Sequence, residues 1–429
     1  MLRDTALPPT IDTAIVGAGQ TGLAMSWFLQ QAGREHVLLE RRETLGGGWQ
    51  DRWSSFQLVS PNWTVGLLPG YSYDGDDPDG FMPRDEIAGH VARYAEVIGA
   101  PVVRGTAVRR VSQRDDGVEG FRLETDRGDL LARQVVLCVG GFHVPHVPRV
   151  SAGLAARVTQ LHSHAYRDEA SLPPGAVLVV GSGQSGVQIA EELHDAGRRV
   201  FLSVGSAGRL PRRYRGRDIF WWMGRVAVLG PQFGMQPPTV DTLPTPAARF
   251  AGNPALTGHA TTRQADLRRY AADGITLLGH LDRIDGERVS FAPGLSQTLA
   301  RIDRFFDERF KQPFDRLTDV ARLDVGPDDR TPFDFEPPEV PELVLAEAGI
   351  STVLWTSGYR LDFSWLDLDQ PILDEFGYPR HQRGITEVPG LAVAGLPWLH
   401  TQASASLMGP AADGRYIAER MGFLEALPA

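Results

Sequence analysis

The sequence predicts an α/β fold made of two similar units. The ten residues "IVGAGQTGLA" at 15–24 are repeated almost unchanged as "VVGSGQSGVQ" at 179–188. An apolar run precedes each copy, as expected for a strand buried on both faces of a parallel sheet. A helical pattern and a second apolar run follow, so both copies have the order strand, glycine turn, helix and strand.

Both copies contain the spacing G-x-G-x-x-G, formed by Gly17, Gly19 and Gly22 and by Gly181, Gly183 and Gly186. In this arrangement the first glycine permits a tight turn, the second admits a pyrophosphate, and the third lets the helix pack on the strand. The positive end of the helix then faces the phosphates. A turn without a ligand is the alternative. Because the whole order occurs twice, we predict two Rossmann-like dinucleotide-binding domains.

The residue that ends the second strand differs between the units. Glu40 ends the run "HVLLE" in the first unit. A carboxylate there accepts hydrogen bonds from a ribose 2′-hydroxyl and repels a 2′-phosphate. Ser203 takes this place in the second unit, and an arginine-rich stretch with Arg209 and Arg212 follows. We therefore predict FAD or NAD in the first unit and NADP in the second, with a solvated basic turn as the alternative for the arginines.

The composition excludes several classes of function. The chain has 429 residues and a formal net charge of −10, which gives no electrostatic support for nucleic-acid binding. Its one cysteine, Cys138, rules out a disulfide framework and a Cys-x-x-Cys redox pair. We expect Cys138 to be a small buried residue of a strand, and we predict no metal site.

No segment predicts secretion or membrane insertion. The first residues lack an apolar signal core, and no run approaches the roughly 18 apolar residues of a membrane span. We therefore expect a cytoplasmic protein. The most apolar stretch, "IFWWMGRVAVLG" at 219–230, is expected in the core or in the wall of a substrate channel. A membrane-touching surface is the alternative.

The order of the motifs predicts that one domain is inserted into the other. Residues 1–152 are expected to form the first segment of the FAD-binding domain, and residues 153–345 the inserted NADPH-binding domain. Residues 346–429 are short for an independent domain. We therefore expect them to return and complete the FAD-binding domain.

Four short motifs lie outside the glycine loops, namely "GGGW" at 46–49, "CVGGF" at 138–142, "LHSHAY" at 161–166 and "TSGYR" at 356–360. Together with the paired loops they resemble the class B flavin-dependent monooxygenases, which include flavin-containing, YUCCA-like and Baeyer–Villiger monooxygenases. His162, Ser163 and Tyr166 match the H-S-x-x-Y end of that family's fingerprint. Ala156 and Val158 replace its phenylalanine and glycine.

The motifs and this resemblance together imply the residues that contact the cofactors. For FAD these are Gly17, Gly19, Gln20, Thr21, Gly22, Glu40, Arg41, Gly48, Trp49, Trp53, Val108 and Gln402. For NADPH they are Ser182, Gly183, Gln184, Ser185, Gly186, Ser203, Arg209 and Arg212. Asn62, in "SPNWT", matches the active-site asparagine of flavin-containing monooxygenases, so the resemblance implies a catalytic role for it.

The resemblance also implies a reaction. NADPH would reduce FAD, and the reduced flavin would react with O₂ to give a C4a-(hydro)peroxyflavin that Asn62 steadies with a hydrogen bond. One oxygen atom would then enter a small organic substrate by S-, N- or Baeyer–Villiger-type oxidation. The flavin carries the chemistry, and the protein supplies position, electrostatics and a dry pocket.

Two other functions fit the same cofactors. One is an NAD(P)H oxidase or flavin reductase that oxygenates no substrate, and the other is a non-catalytic FAD/NADPH-binding sensor. Purely structural roles are the alternative at four positions. His162 fits a core or helix-end histidine, Trp49 and Trp53 fit core aromatics, and Asn62 fits a turn cap after Pro61.

Overall fold

The computed structural model describes residues 6–258, 264–328 and 330–425. It contains two mainly parallel sheets flanked by helices, so the predicted α/β fold is confirmed. Each sheet is built around the strand that precedes a glycine motif. The four residues before each motif are buried, as the apolar runs predict for strands covered on both faces.

In the described part of the chain, ten strands form the first sheet. They are Thr10–Val16, His36–Leu39, Val102–Val103, Val108–Gln113, Phe121–Thr125, Gly128–Leu137, Leu366–Asp367, His381–Gln382, Ile385–Thr386 and Leu391–Val393. Thr10–Val16 lies between His36–Leu39 and Gly128–Leu137 and runs parallel to both. Leu391–Val393 also pairs in parallel with Gly128–Leu137. The C-terminal part of the chain therefore returns to this sheet.

The second sheet has five parallel strands, in the spatial order Thr276–Leu278, Val200–Ser203, Ala176–Val180, Ile350–Trp355 and Thr159–His162. This pairing corrects the expected start of the returning segment at residue 346. The run Ile350–Trp355 is apolar enough to join either sheet, and its parallel register with Ala176–Val180 places it in the second. The chain leaves the second sheet only after Trp355.

Smaller sheets and the helices complete the fold. One antiparallel sheet comprises Leu281–Asp285, Arg288–Phe291 and Glu342–Val344, and two strand pairs join Arg213–Tyr214 to Arg217–Asp218 and Val144–Pro145 to Tyr359–Arg360. The described α-helices are Gln20–Gln31, Arg84–Val97, Gln184–Asp195, Ile219–Leu229, Leu267–Ala272, Leu295–Phe306, Gln312–Ala321 and Pro410–Arg420. A π-helix spans Asp307–Lys311, and 3₁₀ turns span Gly47–Asp51, Asn62–Leu67, Arg149–Gly153, Glu169–Ser171, Gly230–Phe233, Val240–Thr242, Pro246–Phe250 and Gln402–Ala405.

Two helices position the candidate site, and we call Gln20–Gln31 the first motif helix and Gln184–Asp195 the second. They begin directly after Gly19 and Gly183, which cap them in an extended conformation without a side-chain hydrogen bond. Their first N–H groups therefore remain free to bind an anion at the carboxyl edge of each sheet.

The apolar run at 219–230 forms the helix Ile219–Leu229. Ile219 and Trp222 are fully buried, and the Trp222 ring stacks on Phe314 with 5.3 Å between centroids. The expected core position is confirmed for this face of the helix. Over the residues that the structure describes, we find no helix with the length and apolar character needed to cross a bilayer.

Candidate active site

In the first glycine loop, the close packing of the protein requires two of the glycines, and the middle one leaves space for a ligand. Gly17 has a φ of +102°, and a Cβ there would lie 2.6 Å from the Cys138 carbonyl oxygen. A Cβ on Gly22 would overlap the Gly17 carbonyl. Gly19 has ordinary extended backbone, and the nearest atom to a Cβ there is the Cα of Gly47 at 3.9 Å. The middle glycine therefore borders open space, as a pyrophosphate cradle requires.

In the second glycine loop, the outer two glycines are again closely packed and the middle one is open. Gly181 has a φ of +111°, and a Cβ there would lie 2.9 Å from the carbonyl oxygen of Thr356. A Cβ on Gly186 would overlap the Gly181 carbonyl, whereas a Cβ on Gly183 would meet no described atom within 4 Å. Both loops therefore fit the phosphates of a dinucleotide at the same position.

Glu40 lies beside the first loop, as its place at the end of a strand predicts. It is 7% exposed, and its Oε2 accepts a hydrogen bond of 2.9 Å from the backbone N–H of Ala18. Its Oε1 accepts one of 3.1 Å from the N–H of Arg42. Each carboxylate oxygen keeps a further lone pair that can accept a ribose hydroxyl.

The "GGGW" segment folds over the first glycine loop. The indole Nε1 of Trp49 donates a 2.8 Å hydrogen bond to Oε1 of Gln20, and a Cβ on Gly47 would lie 3.1 Å from the Cα of Gly19. Trp53, further along, is 2% exposed and meets the ring of Phe56 edge-on. Trp49 is therefore placed at the loop, whereas Trp53 also fits its alternative as a core aromatic.

Four other residues implied for FAD are Thr21, Arg41, Val108 and Gln402. A Cβ on Gly395 would lie 2.6 Å from Oγ1 of Thr21, so the returning segment contacts the first motif helix. Arg41 is exposed, and Val108 begins a strand that pairs with Thr125. Gln402 donates through Nε2 to Oδ1 of Asn253 at 3.3 Å. Their contacts with FAD stay predictions.

The residues implied for NADPH surround the second loop. Ser182 and Ser203 are both buried, and Oγ of Ser203 donates a 2.9 Å hydrogen bond to the Gly279 carbonyl. Oγ of Ser182 accepts a 3.0 Å hydrogen bond from the N–H of Gly205. Gln184 donates from its side chain to the carbonyl of Leu256.

The two arginines expected at a 2′-phosphate are held by protein groups. The Arg212 side chain is 5% exposed, forms a 2.8 Å ion pair with Asp218, and donates to the carbonyl oxygens of Val59 at 2.6 Å and Thr257 at 3.3 Å. These contacts bind the Arg212 guanidinium inside the protein, so its phosphate contact stays a prediction. Arg209 is less enclosed, and two aspartates bind it.

Those aspartates are Asp303, at 2.7 Å from Nε of Arg209, and Asp266, at 3.4 Å from its Nη1. A phosphate at Arg209 would have to compete with both carboxylates. The predicted preference of the second unit for NADPH therefore rests on the missing acid at Ser203, and the part of Arg209 in it also stays a prediction.

The fingerprint residues tie chain segments together. Nε2 of His162 lies 2.9 Å from the Gly358 carbonyl, and Nδ1 lies 3.1 Å from the N–H of His164. This pairing assigns the proton to Nε2. The backbone N–H of Ser163 donates to the carbonyl of Trp355 at 2.9 Å. These contacts fix the junction where the chain passes between the two sheets.

Burial of His162 gives an expected pH dependence of stability. Burial lowers its pKa from 6.5 to about 4, which the hydrogen bond to Gly358 only partly opposes. The unfolded chain then binds more protons than the folded one between these values, so stability falls as pH falls from about 6.5 to about 4. Urea unfolding of the wild type at pH 7, 6 and 5 should show this loss.

The matching variant is His162→Gln, which removes the titrating group and should lose less stability over the same pH range. Some loss remains, because burial also lowers the pKa of His381 to about 4. His280→Gln, at an exposed histidine, should keep the wild-type dependence. Equal pH dependence in wild type and His162→Gln would contradict the assignment.

Asn62 lies in a turn after Pro61, as its alternative role predicts. It begins the 3₁₀ turn after Pro61 and is 5% exposed. Its Nδ2 donates a 2.8 Å hydrogen bond to the Asp77 carbonyl, and its Oδ1 accepts one of 2.7 Å from the N–H of Met82. Both ends of the amide are used by the backbone, so the geometry favours a loop-holding role over a donor to a reacting group.

The sequence motifs do not include Glu192, which lies on the second motif helix. Its Oε1 accepts a 2.8 Å hydrogen bond from the hydroxyl of Tyr166, and its other oxygen accepts one from Ser55. Gln188 and Glu191 on the same helix are 5% and 2% exposed. Polar side chains at these helix positions give no sequence signal for burial, and the packing of other segments against this face buries Gln188 and Glu191.

Among the described residues, no three histidine, cysteine, aspartate or glutamate side chains are grouped so that they could hold a metal ion.

Part of the chain matches a known family. Residues 14–215, which include both glycine loops, are similar to the family described as pyridine nucleotide-disulphide oxidoreductase. The chain is an oxidoreductase, and individual proteins show what else it is similar to.

Three known proteins show what this chain is similar to. A Geobacillus kaustophilus protein named uncharacterized oxidoreductase CzcO-like is 29% identical over 408 residues, which cover 95% of this chain and 97% of that protein. Indole-3-pyruvate monooxygenase YUCCA1 of Oryza sativa subsp. japonica is 28% identical over 221 residues, 51% of this chain and 53% of YUCCA1. The solved flavin-containing monooxygenase from Stenotrophomonas maltophilia superposes with a TM-score of 0.67 at 20% identity, covering 96% and 98% of the two chains. The predicted relationship to flavin monooxygenases is confirmed.

Proposed function

We propose that this oxidoreductase is an FAD-dependent, NADPH-using monooxygenase that transfers one oxygen atom from O₂ to a small organic substrate. The observation that carries the proposal is the pair of glycine cradles, which differ at the ribose position. Gly19 and Gly183 border open space, whereas Glu40 directly follows the strand His36–Leu39 in one unit and Ser203 ends the strand Val200–Ser203 in the other. Two different dinucleotides in one chain fit an electron transfer between cofactors.

The residues of the first unit fit FAD. The N–H groups that begin the first motif helix would bind the pyrophosphate, and Glu40 would accept the ribose hydroxyls. Trp49, which is hydrogen-bonded to Gln20, would keep the "GGGW" segment against the bound cofactor. When bound, FAD would supply the hydride-accepting and oxygen-activating chemistry.

The residues of the second unit fit NADPH. The N–H groups that begin the second motif helix would bind its pyrophosphate next to Gly183. Ser203 leaves the ribose position without the carboxylate that would repel a 2′-phosphate. The chain thereby supports NADPH in the second unit and disfavours it in the first.

The side chains around the cradles would position the cofactors and exclude water. Trp53 and Phe56 are buried beside the first unit, and Asn62 fixes the loop that follows them by binding the backbone at Asp77 and Met82. A dry site strengthens each electrostatic interaction and limits side reactions with water. We assign these residues to shaping the pocket.

The family description also includes disulfide oxidoreduction, which this chain supports poorly. Its one cysteine, Cys138, is buried in the core, and burial raises the pKa of the thiol. Thiol–disulfide exchange requires an accessible thiolate. Oxygen transfer is therefore the function that fits better.

Oxygen transfer can be tested directly with ¹⁸O₂. The purified enzyme should oxidise NADPH in the presence of a panel of thioethers, amines and ketones, and one product should carry one ¹⁸O atom by mass spectrometry. Hydrogen peroxide formed per NADPH should fall when that substrate is added.

Two outcomes would reject oxygen transfer. Oxidation of NADPH with quantitative hydrogen peroxide and no labelled product for any compound would indicate an oxidase or flavin reductase. Binding of both cofactors without turnover would indicate a sensor.

A further inference from the structure

A continuous set of contacts connects the two motif helices. It begins at Gln20 on the first motif helix, whose Oε1 accepts a 2.8 Å hydrogen bond from the indole of Trp49. Trp49 belongs to residues 49–56, which we call the aromatic loop. At the far end of this loop, Oγ of Ser55 donates to Oε2 of Glu192 on the second motif helix.

The segment that enters the second sheet joins the same contacts. The Tyr166 hydroxyl donates a 2.8 Å hydrogen bond to Oε1 of Glu192, and the N–H of Ser54 donates a 2.6 Å one to the Arg167 carbonyl. Tyr166 is fully buried. The Glu192 carboxylate is thus the common acceptor for two segments that meet at the second motif helix.

The chemistry of these groups suits a fixed contact. Burial and the neighbouring Glu192 raise the pKa of Tyr166, so its phenol remains a donor. Burial also raises the pKa of Glu192, against hydrogen bonds from Ser55, Tyr166 and Trp53 that favour the charged form. Hydrogen bonds to a carboxylate are stronger than those between neutral groups.

We propose that Glu192 is a positioning residue for hydride transfer, which holds the aromatic loop between the two motif helices and so sets the distance between the two nucleotides. This role rests on the proposed function. Both cradles are complete without Glu192, so the residue should affect alignment and leave the binding of each nucleotide intact. A misplacement of about 1 Å can cost roughly a hundredfold in rate.

Glu192→Ala is the test variant, and it should retain FAD. Its flavin reduction at saturating NADPH should be slower by about ten- to a hundredfold in stopped-flow absorbance, with the dissociation constant for NADPH within about threefold of wild type. Hydrogen exchange should rise in residues 49–56 and stay unchanged in the strands Thr10–Val16 and Ala176–Val180. Glu192→Gln keeps one carbonyl acceptor and should recover most of the rate.

Two further variants separate this role from general damage. Tyr166→Phe removes one donor and should slow reduction in the wild-type background but add nothing to Glu192→Ala, since both remove the same contact. Glu342→Ala removes a carboxylate that pairs with Arg288 in the small antiparallel sheet, and the flavin of this variant should be reduced at the wild-type rate.

Several outcomes would overturn the proposal. Wild-type reduction and exchange in Glu192→Ala would show that the contact is dispensable. Increased exchange throughout the chain, or loss of FAD, would show a structural role only. If NADPH does not reduce even the wild-type flavin, the proposed function itself fails, and the hydride-transfer role fails with it.

Discussion

Gly19→Val should fold normally and purify without flavin. A Cβ at this position meets only the Cα of Gly47, at 3.9 Å, and the backbone is extended, so the protein itself tolerates the branched side chain. The same side chain occupies the space into which a pyrophosphate must approach. Overpacking there should cost about 3 kcal/mol of FAD binding, or roughly a hundredfold in affinity.

Flavin absorbance of the purified protein, FAD titration of the apoprotein and its melting temperature would measure this effect. Gly22→Ala provides the contrast, because its Cβ would overlap the Gly17 carbonyl. It should lower the melting temperature of the apoprotein, whereas Gly19→Val should not. Full flavin content in Gly19→Val would show that the first cradle does not bind FAD.

Arg212→Ala should destabilise the whole protein and leave coenzyme preference unchanged. The guanidinium is buried against Asp218 and binds the carbonyl oxygens of Val59 and Thr257, which belong to separate segments of the chain. Removing one partner of a buried ion pair leaves an uncompensated charge and typically costs about 3–5 kcal/mol. The free energy of unfolding from urea titration should fall by this amount.

Arg213→Ala is the matched control, since Arg213 is adjacent and exposed. It should change the free energy of unfolding by less than about 0.5 kcal/mol. The ratio of the Michaelis constants for NADPH and NADH should stay the same in both variants. Wild-type stability with a raised Michaelis constant for NADPH alone in Arg212→Ala would restore the phosphate contact predicted from the sequence.

Sequence and structure agree most closely at the glycine motifs. The positive φ of Gly17 and the close packing of Gly22 on the Gly17 carbonyl involve residues of one strand–turn–helix unit. The local sequence pattern is therefore enough to predict both features. The position of Glu40 beside the first loop follows in the same way, because it directly follows the strand next to that loop. Prediction succeeds here because the interacting residues are close in sequence.

The differences arise where the partner is distant in the chain. Arg212 stood in a basic stretch, and its contact with Val59 lies 153 residues away. Asn62 looked like an active-site amide, and its two partners come from the loop that ends near Met82. Glu192 belongs to no sequence motif, and Ser55, which donates a hydrogen bond to it, lies 137 residues upstream. Such pairings depend on how the units pack together.

By itself, the sequence determined the α/β class, the two glycine cradles and the difference between Glu40 and Ser203. Each depends on short-range rules, namely burial of apolar strands, steric limits on backbone approach and the charge at a strand end. Only the tertiary structure decided that Ile350–Trp355 belongs to the second sheet and that the polar face of the second motif helix is buried. An apolar strand can pair with any open sheet edge, and a charged side chain with any partner that packing brings near. The sequence pattern predicts neither the strand pairing nor the partner of the charged side chain, because both depend on contacts between distant segments.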